Sequence, residues 1–415
     1  MGKFYILKIL IAPFQVAIIL LVRNTGAERK KNILKDSFFL KKSLRIINEI
    51  RLLELLRLGE SRYVMNEIKC FRGKKSYLSC YLEAYARKKQ GYMDEVTRGL
   101  FEFSMINSPA IFRNIFAFRY VEFLREMGVV KSEKILEYDD LISRWNIFSK
   151  VRYSKLCLEL ASAAVENQQY NIAEHWFNKN PRNFEILKNY LPLRFFLQNK
   201  YSILDEEDLK SMRNIVQPSM SLRNLIVKNK NSYCIVGNSP NVMGKKMGKR
   251  IDSYNLVIRF NNFSTSEDYI EDIGSKTDVW VRMLPTSLIT QKPNRNMKLI
   301  VFTGANSLNR SISKHDSLFG LSRAGYNIDF FEKDIFFELQ KKIGAPPSSG
   351  LVICYTIFKI LGDISSRDVY GLSMGEEFSK YNSYHCSDKE AKPADRHRWE
   401  KEKEIFKSMG LCQLS

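Results

Sequence analysis

The stretch Ser232–Arg282 limits what this chain can fold into more than any other part of it. An apolar run, Tyr233–Val236, ends in the small turn Gly237–Asn238–Ser239, and a helix start follows. A second apolar run, Val257–Phe260, then ends in Asn261. Short β-branched runs bounded by turn residues read as buried strands, and a helix between two of them implies a parallel crossover. Polar side chains directly after such strands sit at the carboxyl edge of the sheet, where open α/β folds take their ligands.

The pattern continues to the end of the chain. Further strands are expected at Asn255–Phe260, Asp278–Met283, Lys298–Phe302, Asn327–Phe331 and Asp368–Leu372. They alternate with helices, so a largely parallel sheet covered on both faces is predicted. Residues from about 30 to 225 read differently. Apolar residues recur there at three- and four-residue steps, as in Phe38–Leu56, Lys75–Lys89, Ala110–Glu126 and Arg152–Asn167. The pair Tyr153–Glu166 and Tyr170–Asn178 has Ala161, Ala163, Ala164, Ala173 and Phe177 at the spacing of a tetratricopeptide-like hairpin, but no clean repeat period follows. A plain α-helical domain is the other reading. Three regions result: an apolar N-terminal segment, 1–25; a helical domain, 26–225; and an α/β domain, 226–415.

With 45% hydrophobic and 12% aromatic residues, 415 residues can build a sizeable core and more than one domain. The net charge of +21 favours an anionic partner. Nucleic acid is disfavoured, because no zinc-finger spacing, RNA-binding signature or aromatic–basic interleaving is present. An acidic sugar donor, an acidic glycan or an anionic membrane surface remain. Seven scattered cysteines without a CxxC pair suit buried thiols rather than zinc.

The apolar run from Phe4 to Val22 is interrupted by Lys8, Pro13 and Gln15 and followed by Arg23. At ~19 residues it would just cross a bilayer. A span, an uncleaved signal anchor, an interfacial helix and a helix folded onto its own domain are all consistent with it.

Three places can carry chemistry. In the first, Gly237–Asn238–Ser239 offers backbone N–H groups, an amide and a hydroxyl to a phosphate or ribose, and Asn261 adds a second amide at the next strand tip. A simple turn or an Asx turn would look the same. Arg259, in mid-strand, reads as structural and in need of a buried partner. In the second, Pro347–Ser348–Ser349–Gly350 precedes the apolar run Leu351–Leu361. That is a capped helix start, and a helix start attracts anions. In the third, Tyr384–His385 and His397–Arg398–Trp399–Glu400–Lys401–Glu402 hold two of the four histidines, and Glu402 follows His397 after four intervening residues.

Taken in order, these segments resemble the sialylmotifs of the family 29 glycosyltransferases, the animal-type sialyltransferases. The large motif corresponds to Cys234, Gly237–Asn238–Ser239, Ile251–Asp252, Val257–Asn261 and Asp272–Ile273–Gly274–Ser275–Lys276–Thr277. The small motif corresponds to Pro347–Gly350 with its helix and Tyr370–Gly371, and the very short motif to His397 and Glu402. The resemblance implies a Rossmann-like, GT-A-like sheet and an inverting transfer from a CMP-sugar without a metal or other cofactor. It also implies donor contacts at Asn238, Ser239, Asn261, Ser348, Ser349, Gly350 and Tyr384. His397 would be the general base, supported by Glu402, with His385 near the leaving phosphate. No Asp-x-Asp of the metal-dependent kind is present. The chain departs from the family at one place: where the small motif has a cysteine to pair with Cys234, Leu361 stands, and Cys354 lies about two helical turns earlier.

The missing bridge, together with the sequon at Asn262–Phe263–Ser264, favours a reducing compartment. The expected setting is the cytoplasmic face of a bacterial inner membrane, with a Golgi membrane as the alternative. CMP-sialic acid and a glycan acceptor are the expected substrates. Transfer of Kdo from CMP-Kdo is a second reading. A membrane-tethered helical scaffold with an inactive nucleotide fold is a third, from another class.

Overall fold

In a computed structural model of the protein, the described residues are 45–71, 75–129, 150–179, 196–198, 205–283, 293–304, 316–372 and 394–411. The chain divides into two compact units, Met1–Phe123 with Tyr138–Arg152, and Leu124–Glu137 with Tyr153–Ser415.

The helices Arg45–Arg57, Ser61–Lys69, Tyr77–Lys89, Glu95–Asn107 and Ala110–Met127 come first in the chain. Leu52, Leu55, Leu56, Val64, Ile68, Leu82 and Ala86 form a core among the first three of them. Their starts follow the chemistry of the sequence. Ser76 makes a reciprocal capping box with Ser79, and the Asp94 carboxylate accepts from the Thr97 N–H, each satisfying an N–H that the first turn leaves open.

Lys150–Glu166 and Tyr170–Asn178 are both helices, and their Ala161, Ala163, Ala164, Ala173 and Phe177, all in the second unit, are fully buried. Six strands follow: β1 (Tyr233–Val236), β2 (Leu256–Phe260), β3 (Val279–Met283), β4 (Leu299–Thr303), β5 (Ile328–Phe330) and β6 (Val369–Tyr370). They form one sheet in the order β5-β4-β3-β2-β1-β6 with every pairing parallel. The expected α/β class, with a helical region ahead of it, is therefore the observed one. All six expected strands are present: β1 matches end to end, and the other five differ by one or two residues at one or both ends.

Both faces of the sheet are covered. Ile235, Ile258, Val281 and Val301 pack on one side with residues of the helices Leu222–Lys228, Lys333–Ile343, Ser349–Leu361 and Trp399–Ser408. On the other side, Trp280, Ile300 and Phe302 meet the helices Glu206–Val216 and Asp316–Arg323. Cys234, Val236 and Val257 on that side meet Ile251 and Ile273. Arg259 is fully buried and donates to the carbonyls of Ile273, at 2.6 Å, and Lys276, at 2.9 Å, which is the structural role its mid-strand place requires. Asp252 and Asp272 are structural as well. Asp252 accepts from the N–H groups of Ser275 and Lys276, and Asp272 from those of Gly244 and Lys246.

Cys234 and Cys354 are both free and lie in different cores, on opposite faces of the sheet. Among the described residues no helix is long and apolar enough to cross a membrane. The run Phe4–Val22 lies outside them.

Candidate active site

The strand order locates the site. The chain steps outward from β1 to β5 and then returns to place β6 on the other side of β1. Such a reversal opens a crevice at the carboxyl ends of the strands. Gly237 and Gly371 meet there. The Gly237 N–H donates to the Tyr370 carbonyl at 2.8 Å, and the Ser239 N–H donates to the Gly371 carbonyl at 2.9 Å. A methyl group added to Gly237 would lie 2.1 Å from the Gly371 oxygen, so only glycine fits.

Each expected site residue in the described part has a definite environment. The Asn238 amide donates to the carbonyls of Phe260, at 2.9 Å, and Asn262, at 3.1 Å. Both partners are acceptors, which fixes the amide orientation and spends both donors. Asn238 therefore offers a ligand its Oδ1, an acceptor suited to a hydroxyl or an amino group rather than to a phosphate. Asn261 is the reverse. Its backbone is left-handed, with φ 46°, and its Oδ1 accepts from the Met283 N–H at 3.2 Å, so its amide donors remain for a ligand. The Trp280 indole holds the Asn261 carbonyl at 2.8 Å. Ser239 is buried and caps the short 3-10 turn Pro240–Val242.

Ser348 caps the helix Ser349–Leu361, accepting from the Leu351 N–H at 3.3 Å. Its own N–H and Oγ both donate to the Glu402 carboxylate, at 2.9 and 2.5 Å. Ser348 and Glu402 thus serve each other, and the helix start keeps the N–H groups of Ser349 and Gly350 without a partner among the described residues. Leu372, just past β6, lies against both Gly350 and Gly237.

The His397 Nδ1 is 2.9 Å from the Pro346 carbonyl oxygen and 3.5 Å from Glu402 Oε1. A carbonyl can only accept, so Nδ1 carries the proton of the neutral ring and Nε2 carries the lone pair. Burial, then the nearby Arg396 charge, pulls the His397 pKa down to about 4, so the ring is neutral at pH 7. Burial pushes the Glu402 carboxyl up to about 7, against the opposing pull of the Ser348 hydrogen bonds. Glu402 therefore acts on the helix start first and on His397 only at longer range.

These contacts close a ring around the carboxyl edge. Asn238 binds the end of β2, Asn261 binds Met283 at the end of β3, and the Arg396 guanidinium lies 3.9 Å from the Met283 sulfur. From the adjacent His397 the ring passes through Glu402, Ser348 and Gly350 to Leu372 and back to Gly237. Tyr384 and His385 lie outside the described residues. Among those described, no group of three or more His, Cys, Asp or Glu is arranged to hold a metal ion. Sequence reasoning passed over Trp280 and Arg282. Their signal is an aromatic and a cation at alternate positions of an otherwise apolar strand that ends at the site.

Residues 176–318 match the family model described as glycosyltransferase family 29 (sialyltransferase). The matched region contains Asn238, Ser239 and Asn261, while Ser348, Glu402 and His397 lie beyond it. No curated protein and no solved structure matches the chain.

Proposed function

We propose that this chain, a sialyltransferase-type glycosyltransferase through its family 29 domain, moves a keto-acid sugar from a CMP donor to a glycan hydroxyl with inversion and without a metal. The observation that carries the reading is the state of His397. A buried, neutral imidazole with Nδ1 held by Pro346 has its Nε2 lone pair ready to take a proton.

In the proposed reaction the acceptor oxygen attacks the anomeric carbon as the bond to the CMP phosphate breaks. The acceptor proton passes to His397 Nε2, and the bonding pair leaves with CMP. The Ser349 and Gly350 N–H groups, at the start of a 13-residue helix, would receive the phosphate charge. Asn261 adds an amide donor, and Asn238 an acceptor for a ribose hydroxyl or the cytosine amine. A base held by a fixed hydrogen bond contributes about 10²–10⁴ in rate.

Sialic acid is the donor sugar that the family favours, and Kdo shares its carboxylate. A surface polysaccharide or lipooligosaccharide is the acceptor class proposed here, with the enzyme on the cytoplasmic face of a bacterial inner membrane. Supplying each CMP-sugar separately and following CMP release with candidate acceptors tests the donor. Comparing the membrane share of the full chain with that of a chain lacking residues 1–25 tests the anchor, and an unchanged share contradicts it.

A further inference from the structure

Arg282 sits near the carboxyl end of β3 and is answered by no acid among the described residues. Its guanidinium lies over the Trp280 ring, 4.5 Å from the centroid, and 5.7 Å from that of Phe302. Among the described residues its one hydrogen bond is a long one, from Nε to the Met283 carbonyl at 3.5 Å. Burial pulls its pKa below the usual guanidinium value, with no neighbouring charge in opposition. The ordinary value is so far above neutrality that the group stays charged.

The fully buried arginines among the described residues each have close acceptors. Arg125 pairs with Glu159 and Glu166, Arg51 with Glu67, and Arg259 with two backbone carbonyls. A half-buried cation without a counter-charge is costly unless an anion arrives. Stacking occupies the face of a guanidinium and leaves its in-plane N–H donors for a planar partner.

Its place in the sheet sets it in line with two of the expected donor contacts. Val236 pairs with Arg259, Phe260 with Val281, and Arg282 with Phe302. Two residues past Val236 and one past Phe260, Asn238, Asn261 and Arg282 stand in a row across β1, β2 and β3. Trp280 serves two members of that row, since it holds the Asn261 carbonyl and carries the Arg282 charge.

We propose that Arg282 binds the carboxylate that a keto-acid sugar carries on its anomeric carbon, and so makes the site select CMP-activated acid sugars. This rests on the donor reading above. A carboxylate accepts two parallel N–H bonds from a guanidinium, a match that the point charge of lysine does not reproduce. The phosphate is the other anion of the donor, but CMP keeps the phosphate and lacks the carboxylate, so the two are separable.

The test is calorimetric titration of the full-length protein, Arg282→Gln and Arg282→Lys with CMP, CMP-sialic acid and CMP-Kdo. For Arg282→Gln, the loss of a charged hydrogen-bonded pair should weaken an acid-sugar nucleotide about 10- to 100-fold, with CMP held within about twofold. Arg282→Lys should fall between Arg282→Gln and the unaltered protein. The CMP-sugar that shows the loss identifies the donor. Equal losses for CMP and CMP-sugar would assign Arg282 to the phosphate and overturn the proposal, as would no loss in either variant. If the unaltered protein binds none of the three, the CMP-donor reading itself fails, and this inference falls with it. Unchanged melting of Arg282→Lys confirms that a loss is local.

Discussion

Glu402 holds the start of the helix that Ser348 caps. One carboxylate oxygen takes the Ser348 N–H at 2.9 Å and the other takes its Oγ at 2.5 Å. Pro346, two residues before Ser348, receives His397 through its carbonyl at 2.9 Å. The segment 346–348 therefore clamps both ends of the His397–Glu402 pair. The spacing of four intervening residues brings the imidazole and the carboxylate onto one short stretch of backbone. A carboxylate at a helix N-terminus is also well placed against the helix dipole.

Ser348→Ala removes the cap to Leu351 and one of the two Glu402 contacts. Stability in urea should fall by about 1–2 kcal/mol. Ser348→Thr, which keeps the hydroxyl, should recover most of it. An unchanged unfolding midpoint in Ser348→Ala would show that the clamp contributes nothing.

The pH dependence of stability should split between His397 and Glu402. The folded His397 value of about 4 lies below its ordinary 6.5, so the unfolded chain takes up the proton first and stability from this residue is lost as pH falls through that window. The folded Glu402 value of about 7 lies above its ordinary 4.5, so the folded chain keeps the proton longer and stability from it is lost as pH rises from 4.5 through 7. The two slopes oppose each other in the intact protein. Relative to it, Glu402→Gln should gain melting temperature as pH rises from 4.5 to 7, and His397→Gln should lose it as pH rises from 4 to 6.5. Melting curves across pH for both variants check the signs, and parallel profiles contradict them.

Gly237→Ala places a methyl 2.1 Å from the Gly371 carbonyl oxygen, where the backbone on both sides is held by hydrogen bonds. Overpacking of this kind should cost about 2–4 kcal/mol and disturb the donor crevice. A well-folded Gly237→Ala with normal CMP binding would mean that the β1–β6 contact is looser than described.

Asn261 separates backbone from side chain. With φ 46°, Asn261→Gly should keep the fold, while Asn261→Ala should cost roughly 1–2 kcal/mol. Both variants lose the amide donor, and both should bind CMP more weakly. Calorimetry on the pair checks this. CMP affinity that follows stability rather than the amide would remove Asn261 from the ligand.

The strands were legible because each is a short β-branched run between turn residues. Tyr233–Val236 matches end to end, and the other five shift by one or two residues where a flanking Asn, Asp, Lys or Gly sits at the edge. The helix start at Ser348 was legible for a similarly local reason, a Pro-Ser-Ser-Gly run directly ahead of an apolar stretch. Contacts across long sequence distances were not. No local pattern says that Glu402 reaches Ser348, or that Asn238 spends its donors on the end of β2. Arg282 and Trp280 were missed because alternate positions of a strand look alike until the sheet order shows which residues border Asn261. The absence of the family's bridge at Cys234 followed from the resemblance, which puts Leu361 where the partner cysteine would stand, and in the structure Cys234 and Cys354 belong to cores on opposite faces.

The most direct measurement is CMP release by the purified full-length protein from CMP-sialic acid and, separately, from CMP-Kdo, with EDTA present, compared with His397→Ala. The account predicts release from at least one donor that survives the chelator and falls at least ~100-fold in His397→Ala, while CMP still binds that variant. Release from neither donor above the rate in buffer, or an undiminished rate in His397→Ala, would contradict it.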